Sequence, residues 1–209
     1  YGAVAFYKAC QKAGVKPIIG CEVYVAPRRR TDREHSLDGD YTHLVLLCKN
    51  ETGYRNLCYL VSMGFLDGFY SKPRIDWELL HAHAEGLVCL SGCLAGDIPQ
   101  KIVRGEYEAA KARAEELHAL FGEDFYLEIQ DHGILDERRA MNGLLRLNEE
   151  TGIPIVLTND AHYLRREDAA AQDVLLCIQT GKTMDEPGRM KFEGQEFYLK
   201  DEAEMAALL

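Results

Sequence analysis

The chain has 209 residues, 47% hydrophobic and 28% charged, with a formal net charge of -10 at pH 7. That length supports one substantial core, and no apolar run of about 18 residues or charged-then-apolar leader points to a membrane span or a signal peptide. The acidic balance argues against a broad phosphate-binding surface, while leaving room for nucleic acid gripped locally at a metal-rich site.

The opening stretch YGAVAFYKACQKAG reads as a helix stopped by Gly14, with no capping residue before it. VKPIIGCEVYVAP is a buried strand closed by Pro27, and RRRTDREHSLDGD is a polar surface loop. HLVLLCK is a second strand, and NETGYRNLCYLVSMGFL a helix with Tyr54, Leu57, Leu60 and Val61 at helical spacing. IDWELLHAHAE is a short helix capped by Asp76, and LVCLSG a third strand. Two helices separated at Gly105 follow, then the strand FYLEIQ, the helix DERRAMNGLLRLNEETG, the strand IPIVLTN and the helix REDAAAQDVLLCIQTG. MKFEGQEFYLK is strand-like with weaker alternation, and DEAEMAALL starts with Asp201 and Glu204 in capping-box spacing. Strands alternating with helices predict an α/β fold with a parallel sheet, open or closed into a barrel. Both ends read as cut from a longer polypeptide. The seven cysteines, Cys10, Cys21, Cys48, Cys58, Cys89, Cys93 and Cys177, lack the pairing of a disulfide framework and fit a reducing cytoplasm.

In parallel α/β architectures reactive groups collect at the carboxyl ends of strands. Glu22 lies inside an apolar strand, Cys93 follows VCLSG, and Asp160 and His162 follow IPIVLTN. His43 begins its strand, the wrong end for that rule. Carboxylate, imidazole and thiolate suit zinc, and manganese or iron accept much the same set. Positions i and i+2 of a strand point the same way, so Asp160 and His162 are placed to share one ion or bridge two. Each has a plainer alternative: Asp160 as a turn cap, Glu22 paired with a buried base, Cys93 as a small core residue, His43 as a hydrogen-bonded histidine. His81 and His83 form an H-x-H pair on a helix, where i and i+2 diverge, so they read as surface residues, as do His35 and His118. Asp131 and His132 border the mouth as secondary candidates.

The segments YGAVAFYKACQKAGVKPIIGCEVYVA, YTHLVLLCKNETGYRNL, LVCLSGCLAGDIP, FYLEIQDHG, PIVLTNDAHYL and KFEGQEFYLKDEAEM occur in order across essentially the whole chain. Together they resemble the polymerase-and-histidinol-phosphatase (PHP) domain of bacterial DNA polymerase III alpha subunits. The resemblance implies a distorted, TIM-like (β/α)7 barrel incomplete at its N-terminus, with residues 1–182 as barrel and 183–209 as the connection toward a polymerase core. It implies a cluster of up to three zinc or manganese ions held by nine positions. Five fall here: Glu22 as the bridging carboxylate, His43, Cys93 as the thiolate, and Asp160 with His162 as the closing D-x-H pair. The other four belong upstream of Tyr1, so the chain alone is expected to bind metal weakly and to be inactive.

The resemblance further implies a DNA-directed DNA polymerase as the parent, acting in DNA replication, with a metal-dependent 3'-5' exonuclease or phosphoesterase site in this domain. Asp160 and His162 are placed to assist proton transfer there. The partners implied are a DNA 3' end and other replicative polymerase subunits, among them a proofreading exonuclease subunit, with no membrane. Two alternatives stand beside that reading. One is a catalytically silent module that stabilises the polymerase core and binds the proofreading subunit; the other is a free-standing phosphatase of the same barrel family.

Overall fold

A computed structural model describes residues 2–208. Helix α1 spans Ala3–Ala13 and ends at Gly14, whose φ of 70° suits the left-handed stop that glycine alone adopts without strain. The strands are β1 Gly20–Val25, β2 Thr42–Cys48, β3 Phe69–Tyr70, β4 Lys72–Ile75, β5 Leu87–Leu90, β6 Phe125–Ile129 and β7 Ile155–Leu157. The remaining helices are α2 His35–Asp38, α3 Glu51–Leu66, α4 Trp77–Ala82, α5 Asp97–Val103, α6 Tyr107–Phe121, α7 Leu135–Thr151, α8 Ala169–Thr180 and α9 Glu202–Ala206. Asn50, Asp76 and Asp201 cap α3, α4 and α9 through side-chain oxygens that accept backbone N–H groups. None of the described helices is long and apolar enough to cross a membrane.

The strands form one seven-stranded sheet in the order β3-β4-β1-β2-β5-β6-β7. The parallel arrangement expected from the element order holds for β4 with β1 and for β5, β6 and β7. Strand β2 runs antiparallel to both neighbours, β1 and β5, and β3 runs antiparallel to β4. The reason for the first reversal lies in the connection from β1 to β2, which carries only the four-residue α2 and no crossover helix to return the chain to its starting end. The hairpin β3–β4 escaped the sequence reading because its strands are two and four residues long and Pro73 interrupts the run. Among the described residues β3 and β7 are the sheet edges, so closure into a barrel is not seen.

One face of each central strand feeds a single core. Val23 and Val25 of β1, Leu44 and Leu46 of β2, and Phe125 and Leu127 of β6 are buried against α3, α6 and α7. Each such side chain contributes roughly 1.5–3 kcal/mol by leaving water. The 28–40 segment is anchored more firmly than a surface loop. Asp38 is 1% exposed and accepts from Arg28 at 2.9 Å and 2.6 Å. Arg74 of β4, fully buried, donates to the carbonyls of Gly68, Asp38, Arg30 and Asp32. These bonds satisfy a guanidinium and four carbonyl oxygens that the interior would otherwise leave unpaired.

Candidate metal centre

The antiparallel ladder between β1 and β2 explains His43. Glu22 stands opposite Val45 and Tyr24 opposite His43, so the four side chains share one face. Because β2 runs backwards, its start lies at the rim where β1, β5, β6 and β7 end. The histidine that seemed to occupy the wrong end of its strand therefore faces the mouth. Its Nδ1 lies 2.6 Å from Glu22 Oε1. Tyr24 contacts the ring edge-on at 5.2 Å between centroids, and Tyr41 stacks nearly parallel to it at 5.9 Å, which fixes the imidazole orientation.

Cys93 arrives on the turn after β5. His43 N donates to Ala95 O at 2.9 Å, and Gly96 N donates to Cys93 O at 2.8 Å, so the turn is laced to the first residues of β2. Gly92 makes this possible: its φ is 86°, and a Cβ there would fall 2.9 Å from His43 O. The thiol Sγ consequently lies 3.6 Å from His43 Nδ1 and 3.8 Å from Glu22 Oε1. The Glu22, His43 and Cys93 donor atoms all fall within 4.8 Å of one another.

Asp160 and His162 lie beyond β7, which ends at Leu157, so their pairing does not come from strand alternation. His162 Nε2 is 3.2 Å from Asp160 Oδ1. The backbone is instead pinned from the chain's last segment, with His162 N donating to Phe197 O at 2.8 Å and Leu199 N to Tyr163 O at 3.1 Å. The imidazole packs on Phe192 and Phe197 at 4.5 Å and 5.8 Å between centroids. The strand-like 190–200 segment thus forms a wall of the mouth, with Phe197 and Tyr198 buried.

The five side chains form two groups that feel each other's charge. Burial, with the carboxylates of Glu22, Asp160 and Glu128, pushes the Cys93 thiol up to about 12. The hydrogen bond from His162 holds Asp160 below the usual carboxylate range, and the same bond raises His162. A mouth with this much acidic character around a protonated thiol is short of positive charge. A divalent cation would supply it, and the oxygen, nitrogen and sulfur donors suit zinc, with manganese and iron as tolerated substitutes.

The other histidines lie elsewhere or play other parts. His81 approaches Glu116 at 3.5 Å, and His83 packs on Tyr59 at 4.4 Å between centroids. His132 is buried, holds Glu137 at 2.6 Å through Nδ1 and stacks on Phe197 at 4.0 Å. Its Nε2 has no hydrogen-bond partner among the described residues. Sequence reasoning missed Glu128, a buried carboxylate next to the last residue of β6. The signal was present, since FYLEI places one acid in an apolar run as GCEVYV does.

A family model described as the PHP domain matches residues 1–132. The chain is 50% identical over 210 residues to the DNA polymerase III subunit alpha of Treponema pallidum and 49% identical over 211 residues to that of Thermus aquaticus. It is 41% identical over 220 residues to the DNA polymerase III subunit alpha of Mycobacterium tuberculosis. These alignments take in 100%, 100% and 98% of this chain but 18%, 17% and 19% of the respective relatives. The chain therefore spans under a fifth of the length of the curated relatives it matches.

Proposed function

The chain belongs to the PHP domain family, and from that membership we propose that it is the PHP portion of a replicative DNA polymerase alpha subunit, carrying a metal-dependent phosphoesterase site that trims DNA 3' ends. The observation that carries this reading is the convergence of Glu22, His43 and Cys93 donor atoms within 4.8 Å, from two strands and the turn that follows a third. Asp160 and His162 complete the donor set at the same rim, and residues 183–209 lead toward the polymerase core. Full occupancy, with up to three ions, draws on further donors in the parent polypeptide.

Bound zinc or manganese supplies Lewis acidity that activates water and offsets charge on phosphate oxygens. The chain's own residues do the rest. Glu22, His43 and Cys93 hold one position, with His43 oriented by Tyr24 and Tyr41. Asp160 holds the His162 imidazole by its Nε2, which fixes the tautomer and the orientation of that ring at the mouth. The aromatic wall of Phe192 and Phe197 keeps that imidazole in place. The parent would work in the cytoplasm on a DNA 3' end, beside other replicative subunits including a proofreading exonuclease.

The test is the full-length parent protein, wild type and Asp160→Ala, assayed for zinc and manganese content and for 3'-5' degradation of a labelled DNA primer. The reading requires metal in the wild type and loss of both metal and degradation in the variant. Unchanged metal stoichiometry in Asp160→Ala removes Asp160 from the ligand set. Metal binding without degradation leaves the silent module that supports the polymerase core and docks the proofreading subunit.

A further inference from the structure

Glu128 is 4% exposed, one residue from the carboxyl end of β6, yet it is not among the five donors. Oε2 accepts from Gly92 N at 3.0 Å, the residue immediately before Cys93. Oε1 accepts from Gln130 Nε2 at 3.1 Å and from the Thr158 hydroxyl, two residues before Asp160. The backbone reinforces both links: Glu128 N donates to Ser91 Oγ at 2.8 Å, and Thr158 N donates to Ile129 O at 3.0 Å. One carboxylate thus joins the turn that carries the thiol to the strand end that carries the D-x-H pair.

A carboxyl group in a core gives little stability that a well-packed apolar residue would not match. What an apolar residue cannot do is accept from two elements at once at fixed lengths. We propose that Glu128 is a positioning residue: it sets the separation between the Cys93 turn and the Asp160–His162 loop, and through that separation controls metal binding at the mouth. This rests on the metal-site reading above. Glu128 stands behind the donors, in the place where hydrogen-bonded outer groups orient metal ligands, and loss of such groups typically weakens binding about 10–100-fold.

The experiment uses the full-length parent protein titrated with Co2+, followed by the thiolate-to-cobalt charge-transfer absorption that reports Cys93 ligation. Glu128→Ala is expected to weaken Co2+ binding about 10–100-fold and to diminish or shift that band. Glu128→Gln, whose amide oxygen still accepts from Gly92 N, is expected to lose less. Thr158→Val removes only the donor on the β7 side and is expected to weaken binding while the metal-free circular dichroism stays as in the wild type. A folded Glu128→Ala protein with wild-type Co2+ affinity and an unchanged band overturns the proposal. If Glu128→Ala does not fold, wild-type affinity in both Glu128→Gln and Thr158→Val overturns it. A wild-type protein that binds no Co2+ at all overturns the metal-site reading itself, a distinct result.

Discussion

Glu22 and His43 meet across an antiparallel ladder, Oε1 to Nδ1 at 2.6 Å, although one lies midway along its strand and the other near its beginning. The contact joins two elements whose connection contains only a four-residue helix. Removing the imidazole takes away one donor of the cluster, and the H-x-H pair does not stand in for it, since His81 and His83 are engaged elsewhere. In the full-length parent, His43→Ala should weaken zinc or manganese binding by more than about 100-fold, beyond the usual loss from an outer-sphere change. Equilibrium dialysis against either metal reads this, and wild-type affinity in the variant would exclude His43 as a donor.

Gly92 tests the turn. Alanine there must hold a φ of 86° and place its Cβ 2.9 Å from His43 O. The left-handed backbone costs roughly 1–2 kcal/mol for a non-glycine residue, and the close approach adds to that. Gly92→Ala should therefore lower stability by about 2 kcal/mol or more in urea unfolding and also weaken metal binding. An unchanged unfolding midpoint would mean the turn relaxes freely.

Arg74 anchors the segment that reverses β2. With methionine in its place, the carbonyls of Gly68, Asp38, Arg30 and Asp32 lose a donor. A buried group left unpaired costs about 1–3 kcal/mol, so a total near 3 kcal/mol is expected even after water enters. For a chain of this size that lowers the melting temperature by roughly 6–12 °C. A melting temperature within a degree or so of the wild type would show that the loop does not depend on the guanidinium.

Glu150 contributes one pH dependence. Hydrogen bonds from Lys111 and then Arg146 hold its carboxyl down at about 2. A carboxylate depressed in the folded state stabilises at pH values above its unfolded pKa of about 4.3, and the contribution disappears as pH falls through the folded value. Glu150→Gln should therefore be less stable than the wild type by a constant margin above about pH 5, and the margin should shrink as pH falls and disappear by about pH 1. Denaturant melts across that range check it; a margin that persists at the acid end would assign the effect to packing.

Much of the architecture was legible in the linear order of residues. The apolar runs of β1, β2, β5 and β6, the Asp76 and Asp201 caps and the glycine stops at Gly14, Gly152 and Gly181 rest on local chemistry, so sequence alone located them. The candidate donors were legible for the same reason: an acid, thiol or imidazole beside a buried run stands out by composition.

Direction and convergence were not legible, because both depend on contacts between residues far apart in the chain. Whether β2 runs up or down is decided by how the 28–40 segment folds under Arg74, and only that choice brings His43 to the rim. Asp160 and His162 point together because Phe197, more than thirty positions later, accepts the His162 N–H, and not because alternate strand residues align. The role of Glu128 follows from Gly92 and Thr158 reaching it from opposite sides. Local pattern specified the elements and supplied the donors; long-range hydrogen bonds, which no sequence window contains, fixed their relative directions and distances.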